Sequence, residues 1–157
     1  MKTTAIFVDV QNIYYTTRDT FRKPFNYRDF YQSIAQEYAI EAAFAYAIDK
    51  GDPQQQKFQS ALKHIGFYVK LKPYIQRQDG STKGDWDVGI TMDIIEQASK
   101  VDHIILLSGD GDFAILLEHI KQKYACTTAV YGVLNLTANT LIQSADNFVN
   151  IDQRWLL

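Results

Sequence analysis

A single cysteine, Cys126, is all that the 157 residues contain. That excludes an intrachain disulfide and any cysteine-built zinc cage. Cys126 sits in an apolar run, the setting of a packed core thiol and not of a reactive thiolate. Histidine is nearly as scarce. None of His64, His103 and His119 stands at motif spacing to Ser108, so a serine nucleophile with a histidine base is not supported. No apolar stretch is long enough to span a bilayer, and Met1-Lys2-Thr3-Thr4 lacks the charged and apolar regions of a secretory leader. A soluble, cytoplasmic protein without membrane contact is therefore expected. Positive charge is not in excess either: the formal net charge is -2, against the strong basic balance of a nucleic-acid coat protein. No glycine-rich run ends in Gly-Lys-Ser or Gly-Lys-Thr, which excludes a P-loop. Asp110-Gly111-Asp112 lacks the further acceptors and closing glutamate of a calcium loop, position 121 being lysine.

What is present is a core. Hydrophobic residues make up 46% and aromatic residues 13%, enough for one well-filled domain over residues 1–157. Strand and helix patterns alternate along the whole chain without a linker or repeat. Strands are expected at Thr4–Val10, Ile40–Ile48, Phe67–Pro73, Ile104–Leu107 and Cys126–Val133, with an edge strand at Phe148–Ile151. Helices are expected at Tyr27–Tyr38 behind an Asn26 cap, from Asp52-Pro53 to Gly66, over Asp85–Ser99 and Phe113–Lys121, and up to Ser144 behind an Asn135 cap. Tyr74–Gly84 is polar, holds two glycines and reads as a loop. Such alternation predicts an α/β fold, three layers in α/β/α order around a mainly parallel sheet.

The chemistry gathers where strands end. Ala5-Ile6-Phe7-Val8 empties into Asp9 and then Asn12. Ile104-Ile105-Leu106-Leu107 empties into Ser108-Gly109-Asp110-Gly111-Asp112. Acid groups delivered this way sit where ligands bind in such sheets. A third cluster, Asp85 and Asp87, opens a helix, whose N-terminus favours negative charge. On that helix Asp87, Thr91, Ile94, Ile95 and Ala98 share a stripe, whereas Asp93 points elsewhere. Asp9, Asp87, Asp110 and Asp112 together suit Mg2+ or Mn2+, hard cations that take oxygen ligands. Gly109 and Gly111 are expected to supply backbone freedom for a sharp turn. Five basic residues against one acidic between Lys63 and Lys83, and four against two between Arg18 and Asp29, could track phosphates. Tyr14, Tyr15 and Tyr74 are candidates to stack on single-stranded bases.

Phe7-Val8-Asp9-Val10-Gln11-Asn12, Lys83-Gly84-Asp85-Trp86-Asp87-Val88 and Leu107-Ser108-Gly109-Asp110-Gly111-Asp112-Phe113, followed by Ala145-Asp146-Asn147-Phe148, resemble the motifs of the NYN family and its bacterial LabA-like branch. The resemblance implies a PIN-like nuclease fold and Mg2+- or Mn2+-dependent cleavage of RNA, and the candidate stacking tyrosines point to a single strand. The resemblance also implies metal ligands at Asp9, Asp87, Asp110 and Asp112 and a polar partner at Asn12; beside them Ser108 and Lys83 are candidates to contact phosphate. One departure stands out: the family commonly reads Lys-Gly, one apolar residue, then Asp, whereas here Asp85 and Trp86 intervene. Either aspartate can then be the ligand, and Asp93 also matches a recurrent acidic position. The alternative is a non-catalytic RNA-binding or regulatory module, since binding and cleavage use the same carboxylates, and the modest charge suggests a homo-oligomer or protein partner that supplies specificity. A haloacid-dehalogenase-like phosphatase, suggested by Gly109-Asp110-Gly111-Asp112, needs a second acid two residues after the first, and position 11 is glutamine.

Overall fold

The computed structural model describes residues 1–73, 75–76, 82–83 and 85–157, with backbone alone at 75–76 and 82–83. In chain order the strands are β1 (Thr3–Asp9), β2 (Ala39–Asp49) and β3 (Tyr68–Pro73), a small ribbon of β4 (Ile75–Gln76) and β5 (Thr82–Lys83), then β6 (His103–Leu107), β7 (Thr127–Gly132) and β8 (Asn147–Asn150). The helices are α1 (Val10–Phe21), α2 (Tyr27–Glu37), α3 (Pro53–Ile65), α4 (Asp87–Ala98), α5 (Ala114–Lys123) and α6 (Asn139–Ser144).

Six strands form one sheet in the order β3-β2-β1-β6-β7-β8, and every pairing in it is parallel. Because side chains alternate across a strand, β1 feeds two cores at once. Ile6 and Val8 join Ile13, Phe30, Ile34 and Leu62 from α1–α3 on one face. Ala5 and Phe7 join Ile90, Ile94, Leu117 and Ile120 from α4 and α5 on the other. Both sides of β1 and β6 are buried, which is why these strands read as unbroken apolar runs. The expected α/β/α layering is what the molecule has.

From β1 the chain steps outward through β2 and β3, then returns to β6 on the other side of β1 and steps outward again. The β1/β6 junction is therefore the switch point of the sheet, where a crevice opens beyond the carboxyl ends of the strands. Asp9 and Ser108 close those two strands.

Several local expectations need correction. β1 stops at Asp9, and Val10 begins α1, a helix that the apolar pattern hides. Half of its buried positions are Thr16 and Thr17, whose hydroxyls donate to the carbonyls of Asn12 (2.9 Å) and Ile13 (2.7 Å). Threonine there fills a core position while looking polar. α4 starts at Asp87, two residues later than expected, and its buried stripe is Ile90, Ile94 and Ala98. Asn135 lies in a 3-10 turn (Leu134–Leu136) and not at the start of α6, whose cap residue is Ala138. Part of the presumed loop pairs as β4 and β5; Tyr74, Gly80, Gly84 and the side chain of Lys83 lie outside the described residues. Asp52 and Pro53 do open α3, with the Asp52 carboxylate accepting from the Gln54 N–H at 2.9 Å, and Gly66 ends it at φ 137°. The C-terminal residues dock on the body of the chain: Trp155 and Leu156 are buried in the α1–α3 core, and the Leu157 N–H donates to the Pro24 carbonyl.

Candidate metal-binding site

Asp9 is the last residue of β1 and the N-cap of α1, its carboxylate accepting from the Asn12 N–H at 3.4 Å. Its other oxygen accepts from the Ser108 hydroxyl at 3.2 Å. That hydroxyl is fully buried and also accepts from the Asp110 N–H at 3.1 Å. Asn12 Oδ1 accepts from the Gly109 N–H at 2.9 Å. Two of these bonds, Ser108 to Asp9 and Gly109 to Asn12, tie the end of β1 to the end of β6, and the other two brace each end locally, so Asp9 and Asp110 stand at fixed points. Ser108, expected to touch phosphate, has its hydroxyl engaged inside this brace.

Past Gly109 the chain turns into a 3-10 segment (Gly111–Phe113) capped by Asp110, which accepts from the Asp112 N–H at 2.9 Å. Neither Gly109 nor Gly111 has a positive φ, so conformational freedom is not their role. Close approach is: a Cβ on Gly109 would come within 2.5 Å of the Leu136 carbonyl oxygen, and one on Gly111 within 2.8 Å of the Ala138 Cβ. The glycines let the acidic turn lie against the segment that enters α6.

α4 brings the third acid. Trp86 precedes it, with its indole N–H donating to the Ala47 carbonyl of β2 (2.9 Å) and its ring 5.3 Å from that of Tyr46. Lys72 lies 4.5 Å over the indole and donates to the Asp85 carbonyl at 2.9 Å. Gly89 leaves room for the indole, since a Cβ there would approach it to 2.6 Å. The two-residue departure at Asp85-Trp86 thus has a physical use: the tryptophan bolts the start of α4 to the sheet. Sequence reasoning missed that role, although the insertion itself was the signal.

Carboxylate oxygens of Asp87, Asp110 and Asp112 lie within 4.8 Å of one another. Asp9 is absent from that trio but lines the same cleft of about 220 Å³, together with Gln11, Asn12, Tyr15, Asp85, Asp87 and Asp110. Burial, and then the charges of Asp110 and Asp85, push the Asp9 carboxyl up to about 6 against the pull of its bonds from Asn12 and Ser108. Burial and the neighbouring Asp110, then Asp85 and Asp9, push Asp87 up to about 7. Acids so raised are short of a positive partner, and a donor set made only of oxygens fits a hard divalent cation.

Asp93 is elsewhere. It takes the Lys70 ammonium at 2.6 Å and the Tyr46 hydroxyl at 2.7 Å, tying α4 to β3 and β2. Lys70 and Lys72 therefore serve structural contacts and do not line a phosphate track, while Lys63 lies in the last turn of α3.

The NYN domain family model matches residues 3–152. The chain is 28% identical over 161 residues to the low amplitude and bright protein LabA of Synechococcus elongatus, covering 94% of this chain and 83% of that one. It is 55% identical to a protein of unknown function from Vibrio parahaemolyticus known from a crystal structure. The two superpose with a TM-score of 0.94 over 99% of this chain and 96% of the other.

Proposed function

This chain belongs to the NYN domain family, and we propose that it is a metal-dependent ribonuclease, hydrolysing phosphodiester bonds of RNA with Mg2+ or Mn2+. The observation that carries this reading is the meeting of Asp87, Asp110 and Asp112 beside Asp9 at the switch point of the sheet. Asp87 and Asp110, with Asp9, would hold the cation, and Asp112 would share in holding it or orient the attacking water. A divalent cation bound there neutralises charge on the phosphate and makes water a stronger acid.

The chain's own contribution is positioning. Ser108 holds Asp9 through its hydroxyl and Asp110 through its backbone, so both carboxylates face the cleft from fixed points. Asn12 accepts from Gly109, which leaves its amide nitrogen as the donor for a phosphate oxygen. Lys83, which precedes α4 in the chain, is a candidate phosphate contact on its sequence position alone. Among the described residues no helix is long and apolar enough to cross a membrane.

The test is incubation of the protein with labelled single-stranded RNA in Mn2+, in Mg2+ and in EDTA, beside an Asp110→Asn variant. Cleavage that needs the metal and disappears in the variant supports the reading. RNA binding without cleavage in any condition would replace it with a regulatory RNA-binding module.

A further inference from the structure

A second and larger depression, about 600 Å³, adjoins the carboxylate cleft and shares Gln11 and Tyr15 with it. It runs between α1 and α3 on the face opposite α4, at the same carboxyl edge of the sheet. Tyr14, Tyr15 and Phe58 line it while keeping 55%, 38% and 38% of their surface exposed. Exposed rings cost solvation, and three along one groove are unusual for a surface with no partner. Tyr14 and Tyr15 meet edge to face at 5.3 Å, and Phe58 packs on the buried Tyr27 at 5.7 Å, so the rings are held at fixed angles. The Arg18 guanidinium lies 4.9 Å from the Tyr15 ring and 5.4 Å from the Tyr14 ring. Its side chain remains 46% exposed even though it bonds Asp19.

Resting on the ribonuclease reading, we propose that this groove is a nucleobase subsite that seats unpaired bases of the RNA strand next to the scissile phosphate. Continuity with the acid cleft argues for this occupant. A strand whose phosphate lies among Asp9, Asp87 and Asp110 passes Tyr15 as it leaves, and its next bases meet the aromatic walls. Stacking on rings accepts any base, because every base has a π-face. The amides of Gln11, Gln54 and Gln55 line the groove and both donate and accept, so they can meet base edges without choosing a sequence. Arg18 offers a positive charge to a following phosphate, and among the described residues none that lines the acidic cleft is basic. A duplex cannot use the groove, since its bases are stacked on each other; the substrate is single-stranded.

The experiment compares wild type with Phe58→Ala, Phe58→Leu and Phe58→Tyr, each confirmed as folded by circular dichroism and thermal melting. Binding of a fluorescent twelve-nucleotide RNA is measured in Asp110→Asn backgrounds, and KM and kcat in the active ones. A matched oligonucleotide with abasic riboses serves as the second arm. Loss of one stacked base should weaken binding about tenfold or more and raise KM without a comparable fall in kcat. Phe58→Tyr should retain affinity, Phe58→Leu should not, and the abasic strand should bind wild type as weakly as the intact strand binds Phe58→Ala. Metal-dependent cleavage by wild type with unchanged KM and affinity in Phe58→Ala and Phe58→Leu would overturn the subsite and leave the ribonuclease reading standing. Ring-dependent RNA binding without any cleavage would support the subsite and sink the catalytic reading. Absence of RNA binding by wild type would overturn both.

Discussion

Replacing Asp110 with asparagine should stabilise the protein in the absence of metal while abolishing cleavage. Asp87, Asp110 and Asp112 present oxygens within 4.8 Å of one another. At that spacing two unit charges repel by about 1 kcal/mol in water and about 3 kcal/mol at the effective dielectric of a protein surface. Asp112 is exposed and the cleft opens to solvent, so the lower figure applies. Asparagine keeps an oxygen for the Asp112 N–H and is itself a good cap, so little is lost in exchange. The expected gain is about 1 kcal/mol in EDTA at pH 8, a rise in Tm of about 2–4 °C for a chain of this size. It should vanish near pH 5. Asp87 is held at about 7 and Asp9 at about 6, so between their unfolded value of 3.8 and these points the folded state binds more protons than the unfolded chain. The contribution of these two carboxyls to the stability of the metal-free protein is thus greatest in acid and is lost as pH rises through about 6 to 7, and in acid the repulsion that the variant removes is already relieved. Millimolar Mn2+ should reverse the order, raising the wild-type Tm more than that of the variant. Thermal melts at pH 5 and 8, with EDTA and with Mn2+, read all four arms. A variant less stable than wild type in EDTA at pH 8 would refute the idea that these carboxylates repel each other unpaired.

Asp93→Asn should cost about 1 kcal/mol by weakening the Lys70 and Tyr46 contacts and yet leave metal-dependent cleavage near wild type; loss of cleavage in a folded variant would bring Asp93 into the site. Gly109→Ala should lower stability by about 2 kcal/mol or more in denaturant titration, because the Leu136 carbonyl in its way is backbone and cannot swing aside. Trp86→Ala should cost about 3 kcal/mol and weaken Mn2+ binding measured by calorimetry, since Asp85 and Asp87 lose the anchor that places them; unchanged Mn2+ affinity would show that α4 is held by other contacts.

Much of this molecule was legible in one dimension. Buried parallel strands announce themselves as runs such as Ile104-Ile105-Leu106-Leu107, and Asp52-Pro53 and Gly66 bracket α3 in local chemistry alone. The acids Asp9, Asp110 and Asp112 follow their strands directly, so their placement at one edge came from pattern and topology together. α1 was illegible because threonines occupy its buried face. The ring of hydrogen bonds among Asp9, Asn12, Ser108, Gly109 and Asp110 was equally hidden, because it spans partners about a hundred residues apart.

Sequence alone determined the alternation of elements, the two-faced burial of the central strands and the identity of the acidic motifs, since each is written in the residue pattern of a few consecutive positions. Only the tertiary structure decided that Asp93 pairs with Lys70 and Tyr46, that Gly109 and Gly111 serve close approach and not turn geometry, and that an aromatic groove continues the acid cleft. Those outcomes depend on which surfaces the parallel order β3-β2-β1-β6-β7-β8 brings face to face, and local propensity carries no record of that.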